Sequence, residues 1–258
     1  MRVAIMQPTW LPWSGYFDLI DQVDLFVFLD SVQYSDRSWQ SRNRVRTSKG
    51  LEWISLPVRA SRRDGTTISE AQVLAGPTRI RKWTAMLKQT YARASAVETE
   101  LPFVAEILQS IEDNESLASV NIRLIENLAG HLNITTPTIR ASALPDFRGR
   151  VDRLVAICKN LGADTYVSPP GAAGYIHPDR DKFIEAGIEL KFHRYDHPFY
   201  RQCHAPFMAY ASAIDLLFNQ GSDSRSVLLS GQRSPVPASE FYDEAEPVEG
   251  FERSQSIA

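Results

Sequence analysis

Cysteine is almost missing from the chain: Cys158 and Cys203 are its two, too few for a disulfide framework or a four-thiolate zinc site. No run of about 18 apolar residues occurs, so no membrane-spanning helix is expected. The first residues pass straight into Val3-Ala4-Ile5-Met6, without the charged lead, apolar stretch and cleavage site of a secretory signal. The protein therefore reads as cytoplasmic. The five histidines are scattered, and no metal site is read from them. Neither G-x-x-x-x-G-K-[ST] nor G-x-G-x-x-G is present, which argues against a P-loop or a dinucleotide turn; no cofactor is expected.

Charge is unevenly spread. Between Arg37 and Arg93 thirteen basic residues face three acidic ones, Glu52, Asp64 and Glu70. A basic middle favours an anionic partner such as a phosphate, a nucleotide, a carrier arm or RNA, although a solvated face would look the same. The net charge of −3 lacks the strong basic balance of a dedicated nucleic-acid binder. Residues 222–258 lose hydrophobic periodicity and gather Glu240, Asp243, Glu244, Glu246, Glu249 and Glu252. They are read as an acidic, disordered tail behind a single α/β domain over 1–221.

Apolar runs at 2–7 and 25–29, separated by a short helical pattern over 16–23, predict a right-handed β-α-β crossover between buried parallel strands. Trp53–Val58 reads as a further strand, with Pro57 near its edge or end. Helical spacing over 78–94, 102–111 and 116–132 predicts a helical insert near 78–132. Strand and helix then alternate through 137–140, 151–161, 164–167, 179–186 and 188–192. The fold class expected is α/β with a mainly parallel open sheet, Rossmann-like or nucleotidyltransferase-like.

In such sheets ligands bind beyond the carboxyl ends of the strands, which singles out four segments. The loop after the first strand carries Gln7, Trp10, Trp13 and Tyr16, with Gly15 permitting close backbone approach. The second strand ends at Asp30, a candidate base or amine anchor expected to pair with Arg42. Gln33, Tyr34, Arg42 and Asn43 follow, with donors suited to a carboxylate or phosphate. Ser168 to Tyr175 forms a proline- and glycine-shaped turn whose amides suit an anion or acyl oxygen. His197 is the best acid–base candidate, with Tyr200 and Gln202 beside it. Cys203 and His204 are adjacent and point apart on an extended segment, a poor nucleophile–base pair.

Several of these blocks occur together. Gln7-Pro8-x-x-Leu11-Pro12-Trp13-x-Gly15-Tyr16, Phe28-Leu29-Asp30-x-Val32-Gln33-Tyr34 and Trp39-x-x-Arg42-Asn43-Arg44 resemble the WbqC-like protein family. Further matches are Trp53–Val58, His197-Pro198-x-Tyr200-x-Gln202 and Ser212–Asn219. The resemblance spans the chain to about Gly221. It implies a place in bacterial O-antigen or related natural-product biosynthesis, and transfer of an amino acid, often suggested to be glycine, onto an amine such as an amino sugar. The first loop also resembles, more distantly, the nucleotidyltransferase and class I synthetase architecture. There Tyr16 stands in place of the phosphate-binding histidine, and no K-M-S-K-S-like loop follows.

The leading expectation is a transferase that forms an amide from an activated donor, either a carrier-protein thioester or an aminoacyl-tRNA. Asp30 would act on the amine, His197 would shuttle the proton, and Gln33, Arg42 and Asn43 would hold a carboxylate or phosphate. The alternatives are an ATP-dependent nucleotidyltransferase or ligase, and a non-catalytic binding module for a carrier or glycan precursor.

Overall fold

The computed structural model describes residues 1–61 and 64–244. The chain opens with strand β1 (Arg2–Met6), helix α1 (Ser14–Asp21) and strand β2 (Leu25–Phe28). Strands β3 (Arg42–Thr47) and β4 (Gly50–Ser55) form a hairpin, followed by the short pair β5 (Val58–Arg59) and β6 (Gln72–Val73). Three helices come next, α2 (Pro77–Thr90), α3 (Val97–Gln109) and α4 (Leu117–His131), leading into β7 (Thr138–Arg140). Then follow α5 (Val151–Asn160), β8 (Thr165–Ser168), α6 (Ala173–Ile176), α7 (Asp181–Glu185) and β9 (Glu189–Tyr195). The described chain closes with α8 (Ala213–Gln220), α9 (Ser224–Ser230), β10 (Gln232–Pro237) and α10 (Ala238–Glu244).

A six-stranded sheet of order β10-β9-β8-β1-β2-β7 forms the centre. All its pairs are parallel except β9–β10. Side chains alternate across this sheet and are apolar in both directions, as expected where helices cover both faces. Val3, Ile5, Val27, Tyr166 and Phe192 pack into one core with α5 and α7. Ala4, Phe26, Phe28 and Val167 pack into the other with α1, α4 and α8. The α/β class and the mainly parallel, Rossmann-like sheet expected from the apolar runs are both present. From β1 the chain steps to β2 on one side, and later returns through α5 to β8 on the other. The carboxyl end of β1 is thus a topological switch point, where the diverging connections leave a crevice.

The expectation of a disordered tail from residue 222 is overturned for residues 222–244; residues 245–258 lie outside the described residues. Strand β10 pairs antiparallel with β9, with a register shift between Arg233 and Val236. Pro235 and Pro237 masked the strand, yet proline is tolerated on an edge, where one side of the strand needs no donors. Phe241 then stacks on Phe192 with ring centroids 4.2 Å apart, and Tyr242 Oη donates to the Ala173 carbonyl at 2.9 Å. The predicted strand over Trp53–Val58 is also redrawn. Residues 50–55 pair with 42–47 in a hairpin outside the central sheet, and pairing resumes at Val58 with Val73. Among the described residues no helix is long and apolar enough to cross a membrane.

Candidate active site

A cleft of about 640 Å³ opens at the switch point. Gln7 reaches it from the end of β1, Leu29 and Val32 to Ser35 from beyond β2, and Tyr175 from α6. Gly149, Arg150 and Arg153 line it from the start of α5. Arg150 and Arg153 are three apart, so one helical face presents both. The Arg150 guanidinium lies 3.8 Å from the Tyr175 ring centroid, and Arg153 Nε donates to the Phe147 carbonyl at 2.7 Å. Burial pushes the Tyr175 phenol up, with Arg150 opposing the shift. No carboxylate lines the cleft among the described residues, so its field favours an anion.

Gln7 Oε1 accepts from Gln40 Nε2 at 2.6 Å, and Gln40 Oε1 accepts from the Ser35 amide at 2.9 Å. This relay ties the β1 wall to the β2 wall. Tyr16 Oη donates to the Gln7 carbonyl at 3.0 Å. Gln7 Nε2 has no acceptor among the described residues, which leaves one amide donor of the wall uncommitted. Tyr34 shares a 3.0 Å bond with Ser41 through its phenol.

Of the residues expected to bind substrate, Gln7, Gln33, Tyr34 and Tyr175 line this cleft. The others lie outside its lining. Trp10 is fully buried against Trp83, with ring centroids 5.4 Å apart, because an indole in this loop stabilises more inside the core than on a surface. Tyr16 is core as well, its phenol raised by burial and used only to hold Gln7. Asn43 Nδ2 donates to the Trp10 and Leu11 carbonyls at 3.1 and 2.9 Å, clamping a turn in which Leu11 has φ 43°. Arg42 stacks on Trp53 with its guanidinium 4.1 Å from the ring centroid. Ser168 is buried, its hydroxyl directed to the Pro169 carbonyl. Gly15 is needed for a different approach than expected: a Cβ there would sit 2.2 Å from the Trp13 indole.

The two residues expected to be catalytic lie outside the cleft lining. Asp30 is fully buried, and its carboxylate accepts from the Ser142 amide at 2.9 Å and hydroxyl at 2.7 Å. It joins the ends of neighbouring strands β2 and β7 and makes no pair with Arg42, because Ser142 satisfies the carboxylate without a cation. His197 lies in an aromatic cluster, stacked on Trp13 at 6.0 Å and Tyr200 at 6.1 Å, with Tyr210 edge-on at 5.3 Å. Its Nδ1 donates to the Pro198 carbonyl at 3.1 Å, so Nε2 carries the lone pair, buried and unpartnered. Burial holds the imidazole below its ordinary pKa, in the neutral form. Neither Asp30 nor His197 lines the cleft.

Tyr200 and Gln202 are the buried side of this cluster. Tyr200 Oη and Gln202 Nε2 donate to Asp215 Oδ2 at 2.7 and 2.9 Å, and Tyr91 Oη donates to Oδ1 at 2.8 Å. Burial raises the Asp215 carboxyl, against these three bonds. His193 and His197 stand four apart, a metal-ligand spacing on a helix, but β9 is extended there. His193 instead pairs with buried Asp18 at 2.6 Å, and Asp18 also accepts from Gln22 and Gln232.

Gly149, Arg150 and Arg153 are cleft residues that no motif singled out. A usable signal was present in Arg150 and Arg153, two cations one turn apart at a helix start that itself follows a strand end.

Comparison with known proteins gives a family match and one similar protein. The profile of the WbqC-like protein family matches residues 7–227. The chain is also similar to the uncharacterized protein Rv1507c of Mycobacterium tuberculosis, 34% identical over 228 residues, which cover 88% of this chain and 97% of that protein. No solved structure matches.

Proposed function

The chain belongs to the WbqC-like protein family, and on that premise we propose that it is an amide-forming transferase. It moves an activated aminoacyl or acyl group onto an amine acceptor, of the kind used in bacterial O-antigen and natural-product assembly. One observation carries this reading: the cleft at the switch point sets Arg150 and Arg153 over amide and phenol walls with no carboxylate among its described lining. Such a site holds the phosphate or carboxylate of a donor or acceptor by charge-assisted bonds.

In the reaction the amine nitrogen attacks the acyl carbon of an ester or thioester. The C–N bond forms, the C–O or C–S bond breaks, and the leaving oxygen or sulfur departs with its electron pair and takes up the amine proton. Gln7 Nε2 is the donor available to the acyl oxygen as negative charge develops on it. With no carboxylate or imidazole in the described lining, the amine enters neutral or passes its proton to the leaving group. Asp30 and His197 serve the fold.

The test is incubation of the purified protein with aminoacyl-tRNA or an aminoacyl carrier-protein thioester, each with amino-sugar acceptors and without ATP. Amide formed by the wild type and lost in Arg150→Ala and Arg153→Ala, detected by mass spectrometry, supports the proposal. Pyrophosphate release dependent on ATP would replace it with a nucleotidyltransferase. Tight ligand binding without turnover would leave a binding module.

A further inference from the structure

We propose that the outer face of the β3–β4 hairpin is a stacking platform for single-stranded RNA. Extended strands send alternate side chains to one face, so Arg42 and Arg44 share a side, and Trp53 stands directly across from Arg44 in register. Trp39 closes over them from the preceding loop, its ring centroid 5.3 Å from that of Trp53. Arg42 lies 4.1 Å from the Trp53 ring centroid, and Arg44 lies 5.3 Å from Trp39 and 5.7 Å from Trp53.

This cluster differs from a structural cation–π contact in two respects. Trp53 is 47% exposed, a large apolar surface left in water at the centre of a polar face. The Nε atoms of Arg42 and Arg44 are buried and have no acceptor, and no carboxylate pairs with either guanidinium among the described residues. A guanidinium held between two indoles, as Arg44 is, and one stacked on Trp53, as Arg42 is, neither with a carboxylate partner among the described residues, suit an incoming anion attached to a flat aromatic group. A nucleotide is such a group.

Continuity extends the platform in both directions. Trp53 is also one wall of a groove of about 910 Å³ between the hairpin and α2, lined by Lys49, Arg93 and His204 with Glu52 as the one carboxylate among its described lining. That groove suits a phosphate backbone leaving the stacked bases, and the basic surplus of residues 37–93 supplies the wider field. On the other side, Trp39 lies four residues beyond Ser35 of the cleft, and the Trp10 amide donates to the Trp39 carbonyl at 2.8 Å. Unpaired bases are required because paired ones present edges in a groove, not faces to an indole. That the strand is RNA rests on the acyl-transfer reading of the cleft, since an aminoacyl ester is carried on a ribose hydroxyl.

Fluorescence anisotropy of the full chain with a labelled, non-acylated single-stranded RNA tests this without any turnover. Binding is expected, with Trp53→Ala and Arg44→Ala each weakening it by about tenfold. Trp53→Phe should retain most of the affinity, and Arg42→Ala should lower the salt slope by about 0.7 for each phosphate that Arg42 neutralises. Equal melting temperatures of variants and wild type exclude misfolding. Absence of binding at low salt overturns the proposal, as does binding that ignores Trp53 and Arg44 or treats duplex RNA equally. Equal affinity for DNA of the same sequence overturns the choice of RNA. Amide formation from a carrier-protein thioester is read separately, so either proposal can fail alone.

Discussion

Gln7 and Gln202 both follow strands of the central sheet, and both are nearly buried. Gln202 is fully committed: its Nε2 donates to Asp215 and to the Met208 carbonyl, and its Oε1 accepts from the Met208 amide. Gln7 accepts one bond from Gln40, and its Nε2 has no acceptor among the described residues at the edge of a cleft. The two neighbourhoods repeat this contrast. Around Asp215, two tyrosines and a glutamine spend their donors on one buried carboxylate. Around Gln7, two arginines, an amide and two phenols enclose space. Residue type after a strand end does not separate a ligand wall from a structural tie; what separates them is the bonding capacity left over once the chain has folded.

The largest expected effect sharpens that contrast from the cleft side. Arg150→Ala with Arg153→Ala should lower turnover by about a hundredfold or more, at about 1.5–3 kcal/mol per charge-assisted bond. Urea unfolding of the same variant should show only a modest loss, about 1–2 kcal/mol, from the Arg153–Phe147 hydrogen bond and the Arg150–Tyr175 stack. An equal loss of stability and activity would break the comparison.

Asp215→Ala should do the reverse. It strands the Tyr91 and Tyr200 hydroxyls and Gln202 Nε2, and about 3 kcal/mol or more of stability should vanish in a urea titration. Asn43→Ala releases the Trp10 and Leu11 carbonyls and should cost about 2 kcal/mol by the same measurement.

His197 should show a smaller, pH-dependent effect. Its folded pKa is lowered by burial, so the unfolded chain takes up the proton first as pH falls. The neutral imidazole's contribution is complete above the ordinary value of about 6.5 and declines as pH drops below it. His197→Phe should therefore flatten the acid side of the stability profile in thermal melts from neutral to mildly acidic pH. An unchanged slope would mean that the ring is not held neutral. The smallest effect belongs to Asp30→Asn, which keeps an acceptor for the Ser142 amide and should leave turnover unaltered. A large loss there would return Asp30 to the chemistry.

Part of this division was legible in the residues alone. Strands at 3–6 and 25–28 announced themselves as apolar runs, and the position of the cleft beyond them follows from parallel topology. Trp10 and Trp13, three residues apart in one loop, were not separable. Asn43 and the left-handed Leu11 turn one indole into the core, while the other rests on Gly15 beside His197. Strand β10 was hidden because its prolines resemble a linker until β9 is present to pair with it. Arg150 and Arg153 were overlooked because their neighbours Gln7 and Tyr34 are far away along the chain.

The sequence by itself determined the layered α/β class, the parallel order near β1, the basic surplus of residues 37–93 and the family. Those properties are local or additive: periodicity, composition and contiguous motif blocks. Tertiary structure alone decided which polar side chains face open space. A hydrogen bond to Ser142, Asp215 or Asp18 consumes a group that would otherwise be reactive, and those partners are brought near only when distant segments of the chain pack together.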